Sequence, residues 1–376
     1  DSTITIAVDD ANSNDDFDSV ADQTVTATTT DDDVAGFTIV ETDGSTEVAE
    51  SGTTDTFTVV LDAQPLSDVV LTVTSGDTGE ATVTSTLTFT PLNWDTPQTV
   101  TVTGVDENII DGTVSSTITV AVDDASSDND FDAVADQTVT ATTTDDDVAG
   151  FTVAETGGST EVAESGTTDT FTVVLDAQPA SDVVLDITSS DTGEATVTST
   201  LTFTPANWDT PQTVTVTGVD DDIIDGTISS TVTVTINDAS SDNDFDAVAD
   251  QTVTATTTDD DTAGFTVVES GGSTEVAESG TTDTFTIVLD AQPASNVVIA
   301  MSSSDTGEAT LSGTLSFTNA NWDTPQTVTV TGVDENIIDG NQTSTITITI
   351  VDSISDNDFS AVADQTVTAT TTDDDT

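Results

Sequence analysis

The sequence contains no lysine, arginine, histidine, cysteine or tyrosine among its 376 residues. Without Lys or Arg there is no side chain to neutralise phosphate groups, so nucleic-acid binding is not expected. Without His or Cys the chain lacks the common catalytic nucleophile systems and the usual ligands of zinc and iron. Disulfide bonds are excluded as well, which leaves an oxygen-ligated metal ion as the remaining common means of stabilising a small domain.

Long apolar stretches are also missing. No run of about 18 apolar residues is present, so membrane insertion is not expected. The chain begins at Asp1 in the middle of a recurring pattern, with no initiator methionine and no signal peptide. We therefore expect a mature or internal segment of a longer protein.

Acidic residues dominate what is present. The chain carries 72 Asp and Glu residues and a formal charge of −72. High charge with low hydrophobicity is typical of disordered acidic tails. Here, however, apolar residues make up 34% of the chain, and Val, Ile, Phe and Leu alternate with Thr. Such alternation is typical of half-buried strands, and no segment has helical periodicity, so the sequence predicts an all-β fold.

A repeat of 114 residues is the strongest pattern in the sequence. It separates Trp94, Trp208 and Trp322, and the heptapeptide DDDVAGF or DDDTAGF recurs with the same spacing. A period of this length fits a whole domain of immunoglobulin size. The predicted organisation is residues 1–33 as the C-terminal strands of a truncated preceding repeat, followed by complete repeats at 34–147, 148–261 and 262–376.

Seven strands, A to G, are predicted in each complete repeat, with turn signals at a spacing of roughly 8–12 residues. This pattern predicts tandem seven-stranded antiparallel immunoglobulin-like sandwiches, which we expect to be arranged as an extended rod. In the second repeat the predicted bounds are 150–155 for A with an irregular continuation to 163, then 169–175, 183–188, 200–204, 212–219, 228–237 and 251–258 for B to G.

The acidic residues between strands are predicted to gather at one pole of each sandwich. In an up-and-down order of strands, the A–B, C–D and E–F connections and the end of G all lie at the same end. The predicted metal ligands are Asp31, Asp32 and Asp33 in the partial copy; Glu50, Asp77, Asp106, Glu107, Asp111, Asp145, Asp146 and Asp147 in the first repeat; Glu164, Asp191, Asp220, Asp221, Asp225, Asp259, Asp260 and Asp261 in the second; and Glu278, Asp305, Asp334, Glu335, Asp339, Asp373, Asp374 and Asp375 in the third.

Such a pole is costly without a counter-ion. Two like charges about 4 Å apart near a protein surface repel by roughly 4 kcal/mol, and the chain has no basic side chain to relieve the repulsion. We therefore expect several calcium ions per chain at the domain junctions, because calcium accepts six to eight oxygen ligands from flexible loops more readily than magnesium does. The alternative is a set of solvated acidic loops, which are common on acidic proteins.

The whole 114-residue unit resembles the Calx-β domain, a calcium-binding module. The matching motifs are Glu50-x-Gly52 before strand B, Asp77 after strand C, VDENIID at Val105–Asp111 and DDDVAG at Asp145–Gly150. The resemblance implies a β-sandwich in which these acidic positions are calcium ligands. It also implies tandem arrays like those of large bacterial extracellular adhesin and matrix proteins. The segment after strand C, SGDTGEATV, departs from the family's usual form.

The F–G connection lies at the opposite pole and is also acidic. Asp128, Asp130 and Asp132 alternate like the start of an EF-hand loop, but the required Gly and the closing Glu are absent. Two interpretations stay open: a solvated loop, or a contribution to the calcium site of the preceding repeat across the short linker 34–36. In the second case the linker is stiff when calcium is bound.

These observations favour a structural protein over an enzyme. The leading hypothesis is a calcium-stabilised spacer, stalk or filament segment of an extracellular bacterial surface protein that serves adhesion, a biofilm matrix or a fibre scaffold. Its expected partners are neighbouring repeats of the same or a like chain, with self-assembly into a filament as a further expectation. The alternatives are a carbohydrate- or ice-binding module of an adhesin, and a glycosidase with a carboxylate pair, which would need one unique acidic pair in a groove.

Overall fold

A computed structural model describes residues 1–376 and confirms the all-β fold class. The chain forms two compact units, Asp1–Asp147 and Val148–Thr376, which are described separately. Besides strands there are only short 3-10 helices, and no helix is long and apolar enough to span a bilayer. These helices are Asp15–Phe17, Thr42–Gly44, Asp124–Ser126 and Asn129–Phe131 in the first unit, and Thr156–Gly158, Asp238–Ser240, Asn243–Phe245, Ser270–Gly272, Asp352–Ile354 and Asn357–Ala361 in the second.

The first unit contains a hairpin and a nine-stranded sandwich. Val and Ile alternate with Thr in its strands, so that one face of each strand is apolar. The strands are β1 Ser2–Ile6 and β2 Gln23–Ala27 in the hairpin, then β3 Phe37–Glu41, β4 Thr46–Ala49, β5 Thr54–Leu61, β6 Val69–Ser75, β7 Ala81–Val83, β8 Thr86–Phe89, β9 Gln98–Gly104, β10 Val114–Val122 and β11 Gln137–Thr144.

The second unit contains two copies of the same sandwich. The first copy has β12 Phe151–Glu155, β13 Thr160–Ala163, β14 Thr168–Leu175, β15 Val183–Ser189, β16 Ala195–Val197, β17 Thr200–Phe203, β18 Gln212–Gly218, β19 Ile228–Ile236 and β20 Gln251–Thr258. The second copy has β21 Phe265–Glu269, β22 Thr274–Ala277, β23 Thr282–Leu289, β24 Val297–Ser303, β25 Ala309–Leu311, β26 Leu315–Phe317, β27 Gln326–Gly332, β28 Gln342–Ile350 and β29 Gln365–Thr372.

The seven strands predicted for the second repeat all occur, with bounds that differ by at most one residue at either end. Two further strands raise the count to nine. One is β16, and the other is β13, where an irregular continuation of strand A was expected. Strand A thus has two halves, β12 in one sheet and β13 in the other.

Each sandwich consists of a four-stranded and a five-stranded sheet. In the first repeat their strand orders are β3-β5-β9-β7 and β4-β11-β10-β6-β8. All pairs are antiparallel except β4 with β11. This parallel pair differs from the purely antiparallel expectation. It arises because the chain crosses from one sheet to the other between β3 and β4 and then lies beside strand G.

The core lies between the two sheets. Phe57 from the four-stranded sheet and Phe89 and Leu71 from the five-stranded sheet are fully buried in one apolar cluster of the first repeat, and Trp94 packs against its edge. The third repeat has an equivalent cluster. Each core therefore fixes the directions of its strands, and with them the positions of the acidic loops.

Candidate metal centre

Four strand ends meet at one pole of the first repeat. β4 runs parallel to β11, and β6 and β11 are both antiparallel to β10, so these three strands end at the same pole. The end of β9 also lies there, because a β-carbon on Gly104 would stand 2.0 Å from the carbonyl oxygen of Ala49 at the end of β4. Only glycine permits this approach. The segments that follow these strands supply the acidic side chains.

Two glutamates of this pole are buried. Glu50 is 0% exposed and Glu80 is 4% exposed. The backbone holds both in place: the N–H of Glu50 donates to the carbonyl of Thr144 at 3.1 Å, and the carbonyl of Glu80 accepts from the N–H of Val105 at 2.9 Å. Both side-chain oxygens of Glu50 and Oε2 of Glu80 have no hydrogen-bond partner. A buried unpaired carboxylate costs several kcal/mol, and no basic side chain exists to offset the cost.

The carboxylates form two overlapping clusters in the first repeat. One carboxylate oxygen from each of Glu50, Glu80, Glu107 and Asp111 lies within 4.8 Å of the others. Glu50, Asp145 and Asp147 form a second cluster by the same criterion. Glu50 therefore belongs to both clusters, the first formed with the C–D and E–F loops and the second with the segment after strand G.

The same arrangement recurs in the second unit. Glu164, Glu194, Glu278 and Glu308 are at most 6% exposed. The clusters there include Glu164 with Glu194 and Asp221, Glu164 with Asp259 and Asp261, and Glu278 with Asp373 and Asp375.

The first Asp of each DDD run orders the E–F loop through backbone hydrogen bonds. Oδ2 of Asp145 accepts from the N–H groups of Asp111 at 3.1 Å and Gly112 at 2.9 Å, and its Oδ1 accepts from Asp147 at 2.7 Å. In the third repeat the equivalent donation from Gly340 lowers the pKa of Asp373. These aspartates therefore have partners that the buried glutamates lack.

Several other carboxylates of the pole have raised pKa values and so resist ionisation. Burial, followed by the Asp145 charge, raises the pKa of Glu50 to about 7. Burial and the Asp259 charge do the same for Glu164, and the pKa of Asp261 rises to about 6. Burial is also the largest cause of a raised pKa at Glu80, Glu107, Asp111, Asp147, Glu194, Asp225, Glu278, Glu308, Glu335 and Asp375. A bound divalent cation would lower these pKa values and so favour the ionised carboxylates.

Not every predicted ligand points into the site. In each DDD run the middle residue is exposed because successive side chains alternate, as is the first acidic residue of each E–F loop. These outward residues are Asp106, Asp146, Asp220, Asp260, Asp334 and Asp374.

Two further groups of predicted ligands differ from the clustered carboxylates. Asp77, Asp191 and Asp305 are exposed at the margin of the pole, where their charges raise the pKa values of the neighbouring buried glutamates. Asp31, Asp32 and Asp33 are exposed after the β1–β2 hairpin. That hairpin has no counterpart of Glu50 or Glu80.

In the third repeat, Asp339 and Glu335 belong to the same charged group. Burial raises the pKa of Glu308 most, and the charges of Glu335, Asp339 and Asp305 follow in that order.

Sequence reasoning missed Glu80 and its counterparts Glu194 and Glu308. It assigned the C–D ligand to Asp77, the first acidic residue of SGDTGEATV. The turn after β6 instead uses Asp77 as a local cap, since its Oδ1 accepts from the N–H of Gly79 at 3.0 Å. Glu80 immediately precedes β7 and turns inward. The available signal was the identical Thr-Gly-Glu-Ala-Thr sequence in all three repeats.

The acidic F–G loop at the opposite pole contains a structural aspartate. Asp128 is 7% exposed, and its Oδ2 accepts from the N–H groups of Leu66 at 2.7 Å and Ser67 at 2.8 Å. These bonds, that of Ser67 first, lower the pKa of Asp128. Asp130 and Asp132 are exposed. Asp128 therefore ties the F–G loop to the B–C loop.

Within the second unit, the ligand-bearing E–F loop of one repeat contacts the next repeat. The carbonyl of Asp222 accepts from the N–H of Gln292 at 2.6 Å, and Ile223 forms an isolated parallel bridge with the same residue. Ile224 packs against the apolar core of the third repeat. Asp221 and Asp225 flank this contact in sequence, so one loop carries both the acidic cluster and the contact between repeats.

The donor set fits a hard cation. It consists only of carboxylate oxygens, supplied by four separate segments, and such sets suit calcium. Glu50, Glu80, Glu107 and Asp111 could hold one ion, and Glu50 with Asp145 and Asp147 a second. Orphaned buried oxygens at both places are the observation that favours a ligand over solvated loops.

No protein-family model matches the chain, and no curated protein is detectably similar to it in sequence. Solved structures to which the chain is similar include the calcium binding domain CBD12 of CALX1.1, at 16% identity over 53% of this chain and 80% of that one, with a TM-score of 0.25. An I-band fragment of titin has 9% identity over 91% of this chain and 97% of that one, with a TM-score of 0.27.

Domains 4–9 of the surface layer protein SbsC have 19% identity over 93% of this chain and 52% of that one, with a TM-score of 0.24.

Proposed function

We propose that the chain is a calcium-stabilised structural spacer of an extracellular surface or matrix protein, and that it is not an enzyme. The observation that carries the proposal is the set of buried carboxylate oxygens without partners, which recurs at the same pole of all three repeats. A catalytic site requires one specific arrangement of side chains, whereas a structural array of repeats requires the same stabilising element in every repeat.

Calcium contributes to each repeat by joining loops that are distant in sequence. Glu50, Glu80 and Glu107 come from three different connections of one sandwich, and Asp147 comes from the segment after its last strand. Their mutual repulsion loosens these connections in the absence of an ion, and shared coordination holds them together. Binding to the folded state alone then stabilises the repeat by about 2.7 kcal/mol at a free calcium concentration 100 times the Kd.

The contact between repeats extends this effect along the chain. Asp221 and Asp225 bind the ion on one side of the loop, while Ile223 and Ile224 between them contact the following repeat. Because calcium orders the loop on both sides of Ile223 and Ile224, calcium binding favours the contact between the two repeats. This coupling supports a stalk that is stiff in calcium-rich surroundings such as the extracellular medium, with neighbouring repeats as its partners.

Two equivalent grooves of the structure do not favour the glycosidase alternative. A groove of about 640 Å³ in the second repeat is lined by Thr160, Gln251 and Thr254 and holds Glu155 as its one carboxylate. Its equivalent in the first repeat likewise holds one, Glu41. Hydrolysis of a glycosidic bond ordinarily needs a pair of carboxylates across the scissile bond.

The proposal is tested by melting and small-angle X-ray scattering of the full chain with calcium and then with a chelator. We expect calcium to raise the melting temperature and the maximum dimension, and chelation to reverse both. Magnesium and sodium at matched ionic strength serve as controls, because a chain with a net charge of −72 responds to any salt. Identical melting and scattering curves with calcium and with matched sodium would overturn the proposal.

A further inference from the structure

The β1–β2 hairpin exposes an apolar face. Ile4, Ile6, Phe17, Val20 and Val25 are 53%, 60%, 56%, 48% and 52% exposed. No other strand pairs with the hairpin. An isolated two-stranded sheet is at best marginally stable in water, and a contiguous apolar face of this kind marks an interaction surface.

The first complete repeat shows what covers this face. Residues 1–33 and 115–147 are nearly identical in sequence. The counterparts Ile118, Val120, Phe131 and Val139 are at most 5% exposed. There, β10 pairs antiparallel with β6, β11 pairs in parallel with β4, and the four-stranded sheet closes the core. The covering layer is therefore a defined structure, the strands β3–β9.

A polar contact of the complete repeats also depends on the covering strands. In every complete repeat the glutamine that begins strand G donates from its side chain to the carbonyl of the phenylalanine that begins strand A, as Gln137 does to Phe37. In the hairpin, the counterpart Gln23 donates to the carbonyl of Ala21 at 3.1 Å instead. The hairpin thus carries a side chain whose usual acceptor belongs to the covering strands.

A serine supplies a second such group. Ser127 Oγ accepts from the N–H of Val70 at 2.9 Å and donates to its carbonyl at 3.1 Å. Its counterpart in the hairpin is Ser13. Register and orientation of the covering strands are therefore specified by hydrogen bonds as well as by apolar contact.

We propose that the β1–β2 face is a docking surface for the A-to-E portion of a repeat of this kind, of which residues 34–113 are an example. The docked segment places its strand C along β1 and the second half of its strand A along β2, so that the hairpin completes the sandwich by strand addition. Asp31 and Asp33 then take the positions of Asp145 and Asp147. Tightening of the complex by calcium rests on the proposed function; docking itself does not.

The experiment mixes the full chain with a separately produced segment 34–113, diluted from denaturant, at about 0.3 M salt to screen charge repulsion. The readouts are a one-to-one complex by size exclusion with light scattering and hydrogen exchange at the backbone amides of 2–6 and 23–27. We expect a complex that protects these amides. Absence of a complex with soluble segment would overturn the proposal.

Two variants of the full chain decide whether the segment binds at the proposed face. Ile4→Asp with Val25→Asp should weaken binding by more than about 100-fold, because it buries carboxylates in an apolar core. Thr3→Asp with Thr24→Asp, on the opposite face of the same strands, should bind almost as wild type. Equal binding by both variants would show that the segment binds elsewhere, for example by exchange with β10 and β11, and would refute the proposal.

If the free segment aggregates, a fusion of residues 34–113 directly before Asp1 provides the answer. The added copy of Trp94 should emit at the wavelength of Trp94 in the first repeat, which is partly buried against the core, and exchange at 2–6 and 23–27 should slow. A solvent-exposed emission with unchanged exchange would refute docking. Calcium dependence is read separately: slow exchange in chelator supports docking even where the calcium proposal fails.

Discussion

Neutralising the buried Glu164 should change stability with opposite signs in the absence and presence of calcium. The side chain is 1% exposed, and burial raises its pKa to about 7. A folded-state pKa above the unfolded value means that ionisation at pH 8 destabilises the fold, here by about 3 kcal/mol. Glu164→Gln removes this charge. In chelator at pH 8 the variant should therefore be more stable than wild type by up to about 3 kcal/mol.

In calcium the order should reverse, because Glu164 belongs to both clusters of its repeat. Loss of this shared ligand should remove the stabilisation by both ions, about 5 kcal/mol in total when free calcium is 100 times each Kd. This loss exceeds the gain of about 3 kcal/mol from the removed charge, so the variant should be about 2 kcal/mol less stable than wild type in calcium. The assay is urea unfolding followed by tryptophan emission, with Trp94 and Trp322 replaced by Phe so that Trp208 reports the second repeat alone.

Asp260→Asn is the matched control, since Asp260 is exposed in the DDD run of the same repeat. It should change stability little in either solution. A Glu164→Gln variant that is less stable than wild type by the same amount in calcium and in chelator would show that the side chain acts through packing and not through its charge, which contradicts the prediction.

Three further predictions concern pH, the strand ends and the opposite pole. In chelator, acidification from pH 8 to 5 should raise the melting temperature, because Glu50 and Glu164 have higher pKa values in the folded state than in the unfolded state. A melting temperature that falls over this range would contradict this prediction. Gly218→Ala should destabilise the second repeat by more than about 2 kcal/mol in urea unfolding, because the new methyl group would stand 2.0 Å from the carbonyl oxygen of Ala163. Asp242→Asn should lower the free energy of unfolding by about 1–3 kcal/mol in calcium and in chelator alike, because Oδ2 of Asp242 accepts from the N–H of Ser181 at 2.7 Å. The control Asp244→Asn, at an exposed position, should leave it nearly unchanged. An effect of Asp242→Asn that depends on calcium would instead indicate an ion at this pole.

Strand positions could be predicted from the sequence because two-residue alternation of Val or Ile with Thr is unambiguous over seven to nine residues. The crossing of strand A between sheets could not, since the pairing of β4 with β11 depends on contacts almost 100 residues apart. Local sequence showed only that the segment between β3 and β5 is irregular.

The acidic pole followed from strand directions, but the choice of inward-facing carboxylates did not. Asp145 and Asp147 point inward and Asp146 outward, which the period of a strand would have allowed us to predict. Glu80 is different. Whether it or Asp77 turns inward depends on the cap that Asp77 forms with Gly79, a turn geometry that the acidic pattern alone does not specify.

Diffraction from crystals grown with calcium, with anomalous scattering data, would show directly whether the acidic poles bind calcium. We expect anomalous peaks within about 2.3–2.6 Å of carboxylate oxygens, one beside Glu50, Glu80 and Asp111 and another beside Asp145 and Asp147, with equivalent peaks in the other two repeats. Electron density for water alone between these carboxylates, in crystals grown with millimolar calcium, would contradict it.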